Sequence, residues 1–109
     1  MSEADEQKVY RFLGLCARAR GLTSGETGVI GAVKAGKAHL VIVASDTSGN
    51  TQKRYRDKCL THDTALVFFG TAEKMGEAIG KNNRSAVAVT ETHFAEELKK
   101  QITLLNKEL

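Results

Sequence analysis

The sequence predicts an α/β fold, a three-layer α-β-α sandwich in which helices cover both faces of a small mixed sheet. Three short segments, residues 40–44, 65–69 and 86–89, are wholly apolar, and none alternates polar with apolar residues. Strands of this kind are covered on both faces. Helical patterns separate them, so strands and helices alternate along the chain. The 109 residues suit one compact domain, and we expect a single domain over residues 1–109.

The first helix is expected to begin at Ser2, whose side chain can cap it, and to end at Gly21. Its apolar stripe repeats at helical spacing and consists of Val9, Phe12, Leu13 and Cys16. A short extended piece at residues 22–23 leads to the second helix. Ser24 is the expected N-cap of that helix, and Gly36 ends it.

Three further helices follow from the pattern of the remaining chain. One is expected over residues 50–61, capped by Ser48 or Asn50, and one over residues 72–79, ended by Gly80. The last begins near Thr92 and carries the apolar stripe Phe94, Leu98, Ile102 and Leu105.

Composition narrows the class of protein. The chain is 41% hydrophobic and 27% charged, as in ordinary globular domains, and its formal net charge of +3 permits a nucleic-acid partner without demonstrating one. No apolar run approaches the ~20 residues of a membrane span, and the acidic N-terminal residues are unlike a signal peptide. Because Cys16 and Cys59 fit no metal spacing and nothing indicates export, we expect a reduced, cytoplasmic protein.

The sequence offers little for catalysis. His39, His62 and His93 are scattered and suggest no nucleophile–base arrangement or metal cluster. Asp46 leaves a strand as a phospho-accepting aspartate would, but no acidic pair leaves an earlier strand to hold magnesium. We therefore expect no catalytic residue, no metal and no cofactor.

The most informative segment is the start of the second helix, formed by Ser24, Gly25, Glu26 and Thr27. The free N–H groups at a helix start can bind a phosphate, and the hydroxyls could read a base edge. The alternative is a simple capped helix start. The segment is neither a P-loop nor a dinucleotide-binding fingerprint, because no Gly-Lys-Ser/Thr closes it and no long apolar strand precedes it.

Two other places compete as binding sites. The basic run at residues 53–58 begins with Lys53 and is joined by Lys34 and Lys37; it is either a solvated face or a phosphate-binding patch. The turn at residues 81–85 could present Arg84 and Ser85 beside the Ser24 turn, or it could be an ordinary Asn-Asn turn.

Four segments resemble one known family, in the family's order. They are LGLCARARGLTSGE at residues 13–26, AVKAGKAHLVIVASD at 32–46, NTQKRYRDKC at 50–59 and MGEAIGK at 75–81. The chain resembles the kink-turn RNA-binding ribosomal-protein family of the L-seven-Ae and L-thirty-e type, and within it the small bacterial branch of ylxQ-like proteins. The resemblance implies an α-β-α sandwich that binds structured RNA, such as ribosomal RNA, without a cofactor or catalysis. We expect a monomer with no membrane partner.

The resemblance also implies where RNA is contacted, namely residues 24–31 and 83–86. Counted back from Gly36, the family's Gly-Thr-Asn-Glu run begins at Gly25, and only this glycine is kept. Gly28 replaces the glutamate that reads a guanine edge, and Gly31 replaces a phosphate-contacting lysine. RNA binding is therefore expected, whereas kink-turn specificity does not follow.

The expected RNA-binding residues are Arg20, Ser24, Gly25, Glu26, Thr27, Gly28, Lys34, Lys37, Lys53, Arg84 and Ser85. Among them, Glu26 is the candidate to replace the missing glutamate by accepting a hydrogen bond from a base amino group. Two alternatives stay open: a protein-interaction module that kept the fold without specific RNA binding, and a recognition domain of an RNA-modifying enzyme.

Overall fold

A computed structural model describes residues 3–107, which form five helices and four strands. The order is α1 (Glu3–Arg18), β1 (Leu22–Ser24), α2 (Glu26–Lys34), β2 (Leu40–Val43), α3 (Gly49–Thr61), β3 (Leu66–Phe68), α4 (Ala72–Ala78), β4 (Ala86–Val89) and α5 (Thr92–Lys107). Ser2, the expected cap of the first helix, lies outside the described residues.

The four strands form one mixed sheet in the order β1-β4-β2-β3. Strands β2 and β3 are parallel, whereas β4 runs antiparallel to both β1 and β2. Because β1 pairs with β4 from Leu22↔Val89 to Ser24↔Val87, the end of β1 lies beside the start of β4. This register brings together the segment after β1 and the segment before β4, which are far apart in the sequence.

Each face of the sheet carries its own apolar core. Leu40 and Ile42 of β2 point into the core covered by α1, α4 and α5, while Val41 and Val43 point into the core covered by α2 and α3. The predicted α-β-α sandwich with a mixed sheet is confirmed. Strand β3 is only half-buried, contrary to the expectation that all three apolar segments are fully covered, because it is an edge strand.

Helix α1 ends at Arg18, three residues before the expected end at Gly21, because a C-terminal turn closes over residues 16–21. The N–H of Gly21 donates to the Cys16 carbonyl at 2.8 Å, and that of Arg20 donates to Ala17 at 3.0 Å. This pattern requires a left-handed residue at position 20, where Arg20 has φ 59°. Such a conformation favours glycine, so Arg20 is held there by the surrounding hydrogen bonds.

The expectation that Ser24 caps α2 is wrong. Ser24 is the last residue of β1, and the N-cap is Gly25, whose φ of 84° an L-residue rarely adopts. For α3, the expected cap is confirmed: the Ser48 hydroxyl accepts from the Thr51 N–H at 3.2 Å. Asp46 also caps a helix, since its carboxylate accepts from the Ala72 N–H at the start of α4 at 3.0 Å.

The two cysteines are free and lie in different cores, Cys16 with α1 and Cys59 with α3. Burial raises the pKa of each thiol to about 11, which leaves them protonated and unreactive near neutral pH. Among residues 3–107, no helix is both long enough and apolar enough to span a bilayer.

Candidate nucleic-acid interface

Two loops distant in sequence meet at the end of β1. The Gly25 N–H donates to the Ala86 carbonyl at 3.3 Å, and Arg84 Nε donates to Ser24 Oγ at 3.2 Å. We call residues 24–28 and 83–86 together the loop cluster. The structure thus places Arg84 beside the Ser24 turn. The Ser24 hydroxyl, expected to cap α2, is instead used to hold the second loop.

Arg84 is fixed by backbone as well as by Ser24. Its Nη1 donates to the carbonyls of Asn83 at 3.0 Å and Asn82 at 3.4 Å, while nothing among the described residues bonds to Nη2. The 82–83 backbone lies directly on α4, because a Cβ on Gly76 would collide with the Asn82 carbonyl. Gly76 therefore lets this loop approach α4 and positions Arg84.

The start of α2 is open to a ligand. No side chain among the described residues caps its first N–H groups, and the exposed Glu26 and Thr27 follow the Gly25 N-cap. Uncapped N–H groups at a helix start carry partial positive charge and can donate hydrogen bonds to an anion. The loop cluster therefore combines backbone donors with the Arg84 guanidinium.

Glu26 forms an ion pair with a residue of α3. Arg54 of α3 donates from Nη1 to the Glu26 carboxylate at 2.6 Å, and the side chains are 50% and 53% exposed, respectively. The sequence predicted a role for Glu26, whereas Arg54 was one of several cations in the basic run at residues 53–58. Nothing in that run indicates which cation contacts a residue 28 positions away in the sequence. The pair places a carboxylate and a guanidinium together at the edge of the loop cluster.

Gly28 and Gly31, which replace a glutamate and a lysine of the resembled family, differ in their surroundings. A Cβ on Gly28 would lie 2.7 Å from Thr23 Oγ1, so this position is closed by the neighbouring strand. A Cβ on Gly31 would meet no atom of the described residues within 4 Å. The missing glutamate therefore has no room without a shift of Thr23, whereas the missing lysine could be accommodated.

Tyr55 of α3 lies beneath the loop cluster, with only 1% of its surface exposed. Burial is the main cause that raises the pKa of its hydroxyl, and the nearby Ser85 hydroxyl opposes the rise. The two hydroxyls are close enough to interact, but the Tyr55 hydroxyl makes no hydrogen bond of good geometry to the described residues. In the 53–58 run, Tyr55 is thus a core residue and not an exposed base-stacking aromatic.

The remaining expected contacts are spread over the surface. Lys34 lines a shallow groove of about 340 Å³ with Glu26, Thr27 and Gly31, so it adjoins the loop cluster. Lys53 is exposed and pairs with Asp57 at 2.8 Å, a surface ion pair of little energetic weight. Lys34 and Lys53 can contact a phosphate only if the ligand extends along α2 and α3.

Two expected residues lie away from the loop cluster. Lys37 follows the C-terminal end of α2, about 13 Å along the helix from its start. Arg20 precedes β1, at the opposite end of that strand from Ser24. Both are exposed. Across residues 3–107, no group of three or more His, Cys, Asp or Glu side chains is arranged to hold a metal ion.

The element order, the mixed sheet and the loop cluster define a small α-β-α sandwich domain that presents two joined loops at one end of its sheet. The model of the Ribosomal protein L7Ae/L30e/S12e/Gadd45 family matches residues 7–99. The chain belongs to this family, which confirms the resemblance carried by its motifs.

Two curated relatives agree with this assignment. The RNA-binding protein YlxQ of Bacillus subtilis (strain 168) is 38% identical over 82% of this chain and 89% of its own length. The RNA-binding protein YlxQ of Enterococcus faecium is 31% identical over 94% of this chain and 98% of its own length.

Among solved structures, a protein with unknown function from Bacillus halodurans C is similar, with a TM-score of 0.84 and 38% identity over 88% of this chain and 97% of that one. The Giardia lamblia 15.5kD RNA binding protein has a TM-score of 0.75 and 18% identity, covering 96% of this chain and 92% of its own. The second likeness concerns the fold alone.

Proposed function

We propose that this protein binds structured RNA, such as ribosomal RNA, through the loop cluster, and that it catalyses no reaction. The observation that carries the proposal is the hydrogen bond from Arg84 to Ser24, which joins the two loops into one surface with the open start of α2. The relatives named RNA-binding protein YlxQ support the same partner. The proposal takes the protein to be a cytoplasmic monomer, with RNA as its partner.

The recognition that this surface supports is mainly of phosphates and RNA shape. Backbone N–H groups, Arg84 and Lys34 are donors suited to phosphate oxygens, and phosphate contacts position an RNA without reading its sequence. Gly28 and Gly31 offer no side chain for reading a base. Glu26 is the one carboxylate of the expected set, and in this proposal it accepts a hydrogen bond from a base amino group.

The test is a binding titration with three RNAs, each at low and high salt: a kink-turn RNA, a control hairpin and ribosomal RNA fragments. We expect binding to at least one RNA that weakens with salt, and a loss of affinity in an Arg84→Ala variant that a Lys99→Ala variant on α5 does not share. The absence of binding to all three RNAs at low salt would contradict the proposal and favour a protein-interaction module.

The same titration separates specific from general binding. Equal and steeply salt-dependent affinity for all three RNAs would indicate phosphate contacts without selection. A preference for the kink-turn RNA would show that kink-turns are recognised by this chain despite glycines at positions 28 and 31.

A further inference from the structure

A cleft of about 830 Å³ lies next to the loop cluster, on the open edge of the sheet. Its walls are the end of α1, the whole of β1, and the end of α4 with the turn that follows. The cleft and the loop cluster share Ser24 and Arg84, so the two surfaces are continuous. None of the sequence patterns singled out this cleft, because its walls come from three separate segments.

Positive charge dominates the cleft. Among the described residues, the charged side chains that line it are the cations Arg18 from α1, Lys81 from the turn after α4 and Arg84, and one carboxylate, that of Glu77. Arg18 and Lys81 are exposed, and neither takes part in an ion pair with another described residue. Three cations around one concave surface attract a polyanion more strongly than the modest net charge of the chain suggests.

The floor of the cleft is formed where α1 and α4 approach closely. A Cβ on Gly14 would lie 2.8 Å from the Ala78 carbonyl and 3.5 Å from Arg18 Nη1. Gly14 is therefore required for the contact between the two helices, and the Arg18 guanidinium extends over that contact. The Arg18 side chain thus lies along the cleft wall.

The third wall is an unpaired strand edge. Within the described residues, β1 has only β4 as a neighbour. Gly25, just after β1, donates its N–H to Ala86, and Gly21, just before β1, accepts from the Thr90 N–H. By the alternation of an antiparallel pair, the backbone groups of Thr23 point towards β4. The backbone N–H and C=O groups of Leu22 and Ser24 therefore point away from the sheet, where they can bond to a ligand.

We propose that this cleft binds the phosphate backbone of a single-stranded RNA segment that continues from the structured element held by the loop cluster. The inference rests on the proposed RNA-binding function and extends it to a second part of the same ligand. Proteins that hold single strands use a positively charged groove that tracks the backbone, commonly together with aromatic side chains on which bases stack. Among the described residues that line the cleft none is aromatic, so contacts go to phosphates and sugars and not to stacked bases.

The experiment compares two forms of an RNA hairpin, one blunt and one carrying a single-stranded extension of about ten nucleotides, a length within the range of known single-strand sites. The variant carries Arg18→Gln and Lys81→Gln, and the matched control carries Lys99→Gln and Lys100→Gln, which remove the same charge from exposed positions of α5. Thermal unfolding followed by circular dichroism checks that both variants remain folded.

We expect wild-type protein to bind the extended hairpin about tenfold more tightly than the blunt one, through two or three added phosphate contacts. The cleft variant should lose this advantage while keeping its affinity for the blunt hairpin. For the extended RNA, the slope of log binding constant against log salt concentration should become shallower by about 1.4 in this variant, the value for two phosphate contacts to a single strand. The α5 control should behave as wild type.

The outcomes separate the two proposals. If wild-type protein binds both hairpins equally, or if the cleft and α5 variants lose affinity equally, the cleft does not hold the extension, although RNA binding by the loop cluster stands. If wild-type protein binds neither hairpin at low salt, the cleft proposal fails. The proposed function fails with it only if none of the three RNAs of the titration above is bound either.

Discussion

The Thr23 hydroxyl occupies the space that a side chain at Gly28 would need, since a Cβ on Gly28 would lie 2.7 Å from Thr23 Oγ1. This relationship between β1 and α2 makes glycine the residue that fits at position 28. Gly28→Ala should therefore gain little of the ~1 kcal/mol by which alanine is favoured over glycine in a helix, because Thr23 must leave its rotamer at a cost of about 1 kcal/mol. Thr23→Ala should remove this cost, and urea unfolding of both single variants and the double variant measures the coupling. If Gly28→Ala changed the free energy of unfolding equally in the wild-type and Thr23→Ala backgrounds, the clash would be contradicted.

Gly31 gives the opposite expectation, because a Cβ there would lie more than 4 Å from every atom that the structure describes around it. Gly31→Lys should raise RNA affinity several-fold and steepen its salt dependence by about one phosphate contact. It should also stabilise α2 by up to about 1 kcal/mol, since lysine is a better helix former than glycine. Gly49→Lys, at the equally open start of α3, is the matched control for added charge. Equal gains from the two variants would argue against a ligand on α2.

Glu26 is expected to contribute to selection and not to overall affinity. Removing it with Glu26→Ala deletes a negative charge and frees Arg54, so binding to a control hairpin should strengthen slightly. The preference for the best RNA of the panel should shrink by about tenfold, within the range of one base-reading contact. The free energy of unfolding should change by less than about 1 kcal/mol, as for an exposed ion pair. An unchanged preference would remove Glu26 from the site.

The buried thiols lead to a pH prediction. The pKa of Cys16 and Cys59 is about 11 in the folded protein, above the usual value of 9.0, because burial disfavours the thiolate. Their contribution to stability is therefore complete below pH 9 and is lost as the pH rises towards 11. At pH 8, iodoacetamide should modify the unfolded chain much faster than the native protein. Equal rates in the presence and absence of denaturant would contradict the buried positions.

The sequence was sufficient to predict the layers of the fold, because uninterrupted apolar runs at residues 40–44 and 86–89 report burial on both faces. It was insufficient for β3, since the half-burial of this strand follows from its place at the sheet edge. Strand order depends on which strands pair, and an apolar run of residues does not specify its neighbours.

The site was predictable in outline for a similar reason. A glycine at position 25 marks the loop that opens α2, and turn residues mark the loop before β4. The role of Ser24 was mispredicted because local rules assign a serine before a helix to capping, whereas its hydroxyl accepts from Arg84, 60 positions away. The Arg54–Glu26 pair and the cleft beside β1 depend on tertiary contacts in the same way.

The central claim is that the loop cluster is the RNA-binding surface, and the most direct measurement is amide chemical-shift mapping by NMR during an RNA titration. We expect the largest shifts at residues 24–31 and 83–86, with residues 96–107 of α5 nearly unchanged. Shifts concentrated on α5, or no shifts at all with every RNA of the panel at low salt, would contradict the account.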